Sequence, residues 1–315
     1  IDGSKIQKND IEFLLKEAKK HVILNDDKQS IIHIFNHNYI VDGKTFVEEP
    51  IDVYADNLSH EMTFITMPKN NIKNIEQAFI DCDMEIERFI SCTFALAAKL
   101  LNENQLQLGS ILINIGFEKT SLGLFKNLAL VHSITLPIGV NHITKDISKV
   151  CSLTLEESEI IRNKIDFSFQ DNKELFDEND YLKDIYFDYS SYRKISKTLI
   201  LNIVKARVYE ILEIIKKQAT VSESKSIFGT NCIITGGGSN LLNINKYFSD
   251  FFKVNVIKLN SNNKKNNETE LYENFSSCLG AVKIIKDGWE TEAIPEPINK
   301  QSRKMSFFSR IFGSE

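Results

Sequence analysis

The sequence contains few of the residues that form tight turns and cross-links. Its 315 residues include 5 Pro and 13 Gly, which favours a helix-rich α/β protein over an all-β protein, because strands joined by tight turns need both types. The five cysteines stand singly, without the spacing of a metal site or of a disulfide framework. We expect all of them to be buried, reduced thiols, as in a cytoplasmic protein: Cys82, Cys92, Cys151, Cys232 and Cys278.

Long apolar runs and an excess of positive charge are also missing. No run approaches the length needed to cross a bilayer, and no signal peptide is visible. The net charge of -5 argues against a general nucleic-acid binder, which needs a basic face to displace counterions. A content of 42% hydrophobic and 26% charged residues is typical of a globular protein. The length is sufficient for two lobes.

A glycine-rich turn follows an apolar strand at residues 231–240, which read Asn-Cys-Ile-Ile-Thr-Gly-Gly-Gly-Ser-Asn. We expect the three glycines to turn the strand into a helix that starts near Leu241. Glycine has no Cβ, so the backbone can approach a bound nucleotide closely and present helix amides to it. Many α/β proteins turn on glycine, and the motif alone is therefore a weak indication of nucleotide binding.

A second glycine loop strengthens this prediction. Residues 114–120 read Asn-Ile-Gly-Phe-Glu-Lys-Thr and join two apolar runs, 110–115 and 120–125, which we predict to be a β-hairpin. Two such turns, each at a strand end and far apart in sequence, predict one cleft lined by both.

Hydrophobic periodicity predicts the remaining elements. We expect helices over residues 10–22 (with Asn9 as N-cap), 71–82, 94–101, 143–151, 155–164, 198–217 and 275–286, and strands over 31–41, 61–66, 87–92 and 133–136. Residues 261–268 are predicted to be a polar loop.

The C-terminal segment is amphipathic. Pro295 and Pro297 open a polar linker, after which the apolar side chains of residues 303–312 fall on one arc of a helix and the arginines fall opposite. So short a helix is unstable alone in water, but it can fold on an anionic membrane. The alternative is docking on its own domain. The proposed membrane residues are Arg303, Met305, Phe307, Phe308, Arg310, Ile311 and Phe312.

Other candidate sites are weaker. His33 and His37 are four residues apart on a predicted strand, and a partly buried polar face is a better interpretation than metal ligation. The alternating acidic residues between 81 and 87 are typical of a solvent-facing turn. No Ser-His-Asp or Cys-His arrangement is indicated by spacing.

Several segments together resemble one family. They are His33 to Asp42 with Glu49-Pro50, Asn74-Ile75, Leu136 to Ile147, Arg193 to Lys197 with Arg207 and Glu210, the turn Thr235 to Gly238, and the amphipathic tail. In this order and spacing they resemble FtsA, the actin-like family that tethers the bacterial division ring to the membrane. The resemblance covers nearly all of the chain.

The resemblance implies an α/β, actin-like (ribonuclease-H-like) two-lobed ATPase fold with a small inserted α+β subdomain and an incomplete N-terminal lobe. Ile1 is expected to fall inside the small subdomain, with the family's first phosphate hairpin missing. The implied domains are 1–72 (small subdomain), 73–108 (rest of the first lobe), 109–151 (second lobe with phosphate hairpin), 152–227 (inserted subdomain), 228–270 (second lobe with adenosine turn), 271–290 (returning helix), 291–302 (linker) and 303–315 (membrane helix).

The resemblance also implies ligands and partners. ATP, with or without Mg, would contact Gly116, Lys119, Thr120, Glu159, Arg162, Gly236, Gly237, Gly238 and Ser239. The C-terminal tail of FtsZ would bind the 152–227 subdomain beside Arg193, Lys194 and Lys197. Polymers of the chain, anionic lipids and other divisome proteins are the further partners, with no nucleic acid. The expected location is the cytoplasmic face of the inner membrane at the division septum.

The second phosphate loop departs from the family pattern Asp-x-Gly-Gly-Gly-Thr-Thr. Asn114 replaces the carboxylate that could organise a metal-bound water, and Glu118 adds negative charge where phosphates would lie, which Lys119 could offset. We therefore expect a scaffold with at most weak ATPase activity rather than an enzyme.

The alternatives are a pilus-assembly relative of the same fold, a sugar or acid kinase, and a chaperone ATPase. A kinase needs a catalytic Asp near the phosphate loop, which Asn114 does not supply. The amphipathic tail favours the scaffold.

Overall fold

A computed structural model describes residues 1–168, 173–221, 231–258 and 275–286. The predicted polar loop at 261–268, the linker and the membrane segment 303–312 lie outside these residues. None of the helices in the described ranges is long and apolar enough to cross a membrane.

Nine α-helices and ten strands are found in the described residues. The strands are β1 Ser4–Lys5, β2 Gln29–Val41, β3 Lys44–Phe46, β4 Tyr54–Ala55, β5 Leu58–Pro68, β6 Ser110–Ile115, β7 Thr120–Lys126, β8 Ala129–Leu136, β9 Asn231–Thr235 and β10 Val256–Lys258. The helices are α1 Lys8–Asn25, α2 Lys69–Ile80, α3 Cys92–Leu100, α4 Glu103–Leu108, α5 Val140–Cys151, α6 Leu155–Lys164, α7 Lys197–Val221, α8 Ile244–Phe252 and α9 Ser276–Lys286.

The central sheet has five strands in the order β10-β9-β6-β7-β8. β6, β9 and β10 run parallel, whereas β7 and β8 are antiparallel neighbours on the other side. β6 and β9 are apolar along almost their whole length, as expected for strands that are covered on both faces. Thr235, the last residue of β9, lies opposite Asn114, the last but one of β6, so the loops that follow the two strands emerge side by side.

Alternate residues of these strands face two helical layers. Ile113 and Ile234 belong to the core shared with α5, α6, α7 and α8. Leu112 and Ile233 belong to a second core with α3 and α9. Successive residues of a strand point to opposite faces. Because both faces of β6 and β9 are covered by helices, both strands need an unbroken apolar run.

A small α+β unit precedes the large sheet. Strands β3-β2-β5 form an antiparallel sheet, and α1 packs beside it through Ile11 and a small core. This sheet meets strand β8, where the Thr63 hydroxyl donates to the Val131 carbonyl oxygen at 2.8 Å. Just before β8, the Asn127 side chain donates to Asn38 Oδ1 at 2.7 Å. The unit agrees with the small α+β subdomain of the expected fold class.

The predicted 110–115 and 120–125 hairpin is confirmed. The helix over 155–164 has the predicted bounds, and the other predicted helices within the described ranges are found with shifted ends. The predicted strand over 87–92 is wrong. Residues 85–91 have no regular structure, and Cys92 begins α3; Ser91 N donates to His33 Nε2 at 2.9 Å rather than to a strand partner. Asn9 is not the N-cap of α1, because the helix is capped at Gln7, whose N–H donates to Asp10 Oδ2 at 2.8 Å.

The prediction that all cysteines are buried is wrong for three of them. Cys151 and Cys232 are buried, and burial raises the pKa of Cys232 to about 12. Cys82 lies in the turn after α2, Cys92 at the first position of α3, and Cys278 on the solvent side of α9; all three are exposed. Helix ends and outer faces leave these side chains uncovered despite their apolar neighbours in sequence.

Candidate functional site

Two loops meet at the carboxyl ends of the neighbouring parallel strands β6 and β9. The loop 116–119 continues from β6 into β7, and the glycine turn at 236–238 continues from β9. Ligands of open α/β sheets bind at this edge, where connections leave in opposite directions. The two predicted glycine loops thus lie together, as the sequence indicated.

Gly236 and Gly238 allow the turn to lie directly on β6. Gly236 has φ +86°, and a Cβ there would lie 2.3 Å from Asn114 Oδ1. A Cβ on Gly238 would lie 2.3 Å from Ile115 Cγ2 and 2.6 Å from Val140 Cγ1. These separations are far below van der Waals contact, so any side chain would push the turn away from the strand.

Gly237 differs from its two neighbours. A Cβ at this position would meet nothing within 4 Å, so its backbone faces open space and is free to approach a ligand. Ser239 is turned inward instead, because its hydroxyl donates to the Gly236 carbonyl oxygen at 2.7 Å. Of the four predicted adenosine-turn residues, Gly237 has the most suitable exposure, and Ser239 stabilises the turn.

The loop 116–119 is bound to the first turn of α5. Gly116 N donates to the Lys119 carbonyl oxygen at 2.9 Å, which closes the loop. Val140 N donates to Gly116 O at 3.0 Å, and Asn141 N donates to Phe117 O at 2.8 Å. The N-terminal amides of a helix can bind phosphate, but here these two are occupied by loop carbonyls.

Glu118 is held by side chains of α5. Its carboxylate accepts from Asn141 Nδ2 at 2.6 Å and from Lys145 Nζ at 3.0 Å. These hydrogen bonds, from Asn141 and then Lys145, lower the pKa of Glu118. The carboxylate is therefore charged at neutral pH and is bound to the protein itself.

The predicted phosphate contacts Lys119 and Thr120 have different environments. Lys119 is exposed at the end of the loop. Thr120 is 0% exposed, and within the described residues its hydroxyl oxygen has no hydrogen-bond partner. Thr120 is thus part of the sheet interior, while Lys119 can reach solvent; their roles at a phosphate stay predictions.

Glu159 and Arg162 form an ion pair on α6. Arg162 Nη2 donates to Glu159 Oε1 at 2.9 Å, and Nη1 donates to Thr144 Oγ1 on α5 at 2.8 Å. The Arg162 side chain is 6% exposed and that of Glu159 46%. Arg162 Nη1 also lies 3.5 Å from the Val140 carbonyl oxygen. Because Val140 abuts Gly238, the pair lies beside the glycine turn, and Glu159 is its accessible member.

The proposed partner residues lie elsewhere, before and at the start of α7. Arg193 donates to the Ser152 carbonyl oxygen, and Lys197 Nζ lies 3.2 Å from Asp180 Oδ1. Lys194 Nζ is 5.5 Å from the centre of the Tyr181 ring. The same segment of the chain, residues 185–199, also carries exposed apolar and aromatic side chains: Ile185, Tyr189, Tyr192 and Leu199. We name Arg193, Lys194, Lys197 and these four residues the basic-aromatic surface.

Glu157 was not identified from the sequence. It fixes the backbone of this surface at Tyr189 and Ser190. Its carboxylate is buried and accepts from Tyr189 N, Ser190 N and Ser190 Oγ at 2.8, 2.8 and 2.6 Å. Burial alone would raise the pKa of Glu157, but hydrogen bonds from Ser190, Tyr189 and Thr154 outweigh it and lower the pKa to about 2. The Thr-x-x-Glu capping pattern at 154–157 is the signal that could have identified this residue.

The histidines of β2 are structural. His33 is 1% exposed and His37 9% exposed, more deeply buried than the partly buried face we expected. Burial lowers the pKa of His33 to about 4, so its ring is neutral and can accept from Ser91. Across the described ranges, no group of three His, Cys, Asp or Glu residues is arranged to hold a metal ion.

Comparison with known proteins identifies the family. A family model described as Cell division protein FtsA matches residues 111–280, more than half of the chain. A second model, described as the SHS2 domain inserted in FTSA, matches residues 1–66. The chain belongs to the FtsA family. The expected resemblance is thereby confirmed, and the chain is a member of a cell-division family.

Individual relatives are distant in sequence. FtsA of Agrobacterium fabrum is 24% identical over 244 residues, which are 76% of this chain and 54% of the relative. FtsA of Bacillus subtilis is 25% identical over 255 residues, 81% of this chain and 57% of the relative. FtsA of Buchnera aphidicola subsp. Schizaphis graminum is 24% identical over 328 residues, which cover 99% of this chain and 74% of the relative. The chain spans about half the length of the first two relatives.

Solved structures confirm the actin-like fold. MreB 5 of Spiroplasma citri bound to AMPPNP superposes with a TM-score of 0.53 at 18% identity, covering 71% of this chain and 67% of that protein. The PilM-PilN type IV pilus biogenesis complex gives a TM-score of 0.58 at 12% identity, covering 88% and 73%. At these identities the likeness concerns the fold alone.

Proposed function

We propose that this chain is a division scaffold that attaches the FtsZ ring to the cytoplasmic membrane at the septum. The observation that carries the proposal is the amphipathic pattern of residues 303–312 in a chain of the FtsA family. The basic-aromatic surface supports it as a site for the FtsZ tail. Tail binding at one site and lipid binding at the other would connect the polymer to the bilayer.

The affinity of the membrane segment for a bilayer follows from its side chains. Each large apolar side chain buried at the acyl boundary contributes about 1.5–3 kcal/mol, and each Arg or Lys near anionic lipid about 1 kcal/mol. Ordering the backbone costs about 1–2 kcal/mol per residue. One copy should therefore bind modestly, and stable attachment requires several copies in a polymer.

Vesicle co-sedimentation of the full chain tests this role. Changing Phe308→Asp and Phe312→Asp should abolish binding to phosphatidylglycerol-containing vesicles, because the charge would lie in the acyl boundary. The control Ser306→Asp with Ser309→Asp makes the same charge change on the polar face and should retain most of the binding. Binding of the Phe308/Phe312 variant as strong as that of the parent would show that the tail is not the anchor.

We also propose that an adenine nucleotide binds at the glycine turn. Gly237 faces open space, and Arg162, the ion-pair partner of the half-exposed Glu159, approaches Val140, which abuts Gly238. MreB 5 of the same fold was solved with AMPPNP and with ADP. Asn114 cannot act as a base, so phosphate release from ATP should be slow or absent; rapid release that disappears in Asn114→Ala would contradict this. Mg enters this proposal only as a partner of bound ATP.

The domain assignment given above is retained as a proposal. In its support, α9 from the 271–290 segment packs on α3 from the 73–108 segment, where Lys283 Nζ donates to the Ala98 carbonyl oxygen at 2.9 Å. A pilus-assembly protein or a sugar or acid kinase is the weaker alternative, because two FtsA models match and Asn114 stands where a catalytic Asp is needed.

A further inference from the structure

The carboxylate of Glu118, in the 116–119 loop, is bound by side chains of α5. Glu118 accepts from Asn141 Nδ2 and Lys145 Nζ at 2.6 and 3.0 Å. His142 Nδ1 is 3.8 Å from the carboxylate, but this nitrogen accepts from Gly139 N at 3.2 Å and so does not donate to Glu118. Lys145 is therefore the cation that balances Glu118 in this group.

The backbone donors at this position are also occupied. Val140 N and Asn141 N are bonded to the carbonyl oxygens of Gly116 and Phe117 at 3.0 and 2.8 Å. A phosphate that approached the loop would meet two carbonyl oxygens and a carboxylate. The Glu118 carboxylate would repel a phosphate, and Lys145 on α5 is already paired with Glu118, which leaves the exposed Lys119 as the remaining cation of the loop.

The loop 116–119 continues from the residues of β6 on which the glycine turn lies. Gly236 abuts Asn114 and Ile115, the residues that lead into the loop. Adenosine placed on Gly237 would thus direct its phosphates along the end of β6. The α-phosphate can stay near the turn, whereas the terminal phosphate of ATP would have to reach the position held by Glu118.

We propose that Glu118 is a specificity-determining residue that occupies the terminal-phosphate position, so that this chain binds ADP in preference to ATP. This inference rests on the proposed nucleotide site. It differs from a simple loss of binding, because the adenosine side of the site, with Gly237 exposed and Glu159 accessible, is open in the same structure. Asn141 is the residue that positions the Glu118 carboxylate, and Lys145 balances part of its charge.

Calorimetric titration of the full chain with adenosine, ADP and ATP, without a metal ion, tests the proposal. The parent should bind ADP about tenfold more tightly than ATP, the size expected for one additional like-charge contact in a partly solvated site. Glu118→Gln should bring the two affinities together while leaving adenosine binding unchanged. Lys145→Gln should widen the difference, because it leaves the Glu118 charge unbalanced.

Glu103→Gln is the matched control, because it removes one exposed carboxylate on α4, which precedes the opposite end of β6. It should leave the ADP-to-ATP ratio at the parent value. If adenosine binds but Glu118→Gln does not change the ratio, the role of Glu118 is wrong and the nucleotide site remains. If neither the parent nor Glu118→Gln binds adenosine, the nucleotide site itself is wrong and this inference fails with it.

Discussion

Glu157 shows how one buried side chain can organise a surface at a distance in sequence. Its carboxylate joins the start of α6 to the backbone of Tyr189 and Ser190, more than thirty residues later. Tyr189 itself points outward and is 77% exposed. A charge placed inside the subdomain therefore determines where an apolar side chain is presented outside it.

Replacing Glu157 with Ala should destabilise the protein. Four hydrogen bonds are lost, and the partly buried N–H groups of Tyr189 and Ser190 lose their acceptor, at up to about 1–3 kcal/mol for each unsatisfied group. Urea unfolding should show a lower midpoint with an unchanged slope. The control is the exposed neighbour, Glu156→Ala, which should change the free energy of unfolding by less than about 0.5 kcal/mol. Equal midpoints for the two variants would contradict the assigned role of Glu157.

The buried histidines predict a loss of stability on mild acidification. Burial lowers the pKa of His33 and of His60 from 6.5 to about 4, so the unfolded chain binds protons in this range and the folded chain does not. The stabilisation is fully present above pH 6.5 and is lost as the pH falls towards 4, by up to about 1.4 kcal/mol per pH unit for each histidine.

Urea unfolding at a series of pH values measures this slope. His33→Gln removes one titrating group while retaining an oxygen that can accept from Ser91 N, so its stability should fall less steeply between pH 6.5 and 4. A slope equal to that of the parent would contradict the assignment. The lowered pKa of Glu157, about 2, acts in a separate window, because its contribution is present above pH 4.5 and is lost below that value.

At the scale of elements, the sequence predicted those helices and strands whose formation depends on interactions between residues close together in the chain. The β6–β7 hairpin and the amphipathic helices were confirmed because their apolar periodicity is visible in a short window. α4 was missed although Asn102 and Gln105 cap it reciprocally at 2.8 and 3.0 Å, a signal as short as a capping box. The strand predicted at 87–92 failed because apolar residues become a strand only where another strand offers hydrogen bonds.

The candidate site was predictable in part for the same reason. Glycines at two strand ends indicated that the loops would meet, and they do so at β6 and β9. The contact of Glu118 with Lys145 spans 27 residues and depends on how the loop lies against α5, which no local pattern contains. The basic residues Arg193, Lys194 and Lys197 were identified by resemblance, whereas the exposed tyrosines beside them required the structure.

The basic-aromatic surface should bind the FtsZ tail through charge and apolar contact. Arg193→Glu with Lys197→Glu should weaken binding of an FtsZ tail peptide most strongly at low salt, where screening is least. Tyr189→Ala should weaken binding by about 1–2 kcal/mol at any salt concentration. Fluorescence anisotropy with the labelled peptide measures both effects.

Two controls separate binding from stability in this experiment. Lys8→Glu with Lys16→Glu reverses two exposed charges on α1, in the small subdomain, and should leave the affinity unchanged. Thermal unfolding of the Arg193/Lys197 variant detects any loss of stability caused by breaking the contacts with Ser152 and Asp180. Unchanged peptide affinity in that variant at low salt would place the site elsewhere.

At the scale of the whole molecule, the account requires two weak attachments to act together. The basic-aromatic surface and the membrane segment at 303–312 lie in different parts of the sequence, and each is expected to bind modestly alone. Polymerisation of the chain along the ring would multiply both contacts, so that many weak contacts together hold the polymer to FtsZ and to the membrane. A scaffold of this kind needs no rapid ATP turnover, in agreement with Asn114 at the phosphate loop.

The central claim is that this chain brings FtsZ to the membrane, and vesicle recruitment of FtsZ measures it directly. FtsZ should co-sediment with phosphatidylglycerol-containing vesicles only when the parent chain is present. Recruitment should be lost with the Phe308→Asp and Phe312→Asp variant and reduced with the Arg193→Glu and Lys197→Glu variant, while the Ser306→Asp and Ser309→Asp control retains it. Recruitment that is absent with the parent, or equal with all three variants, would contradict the account.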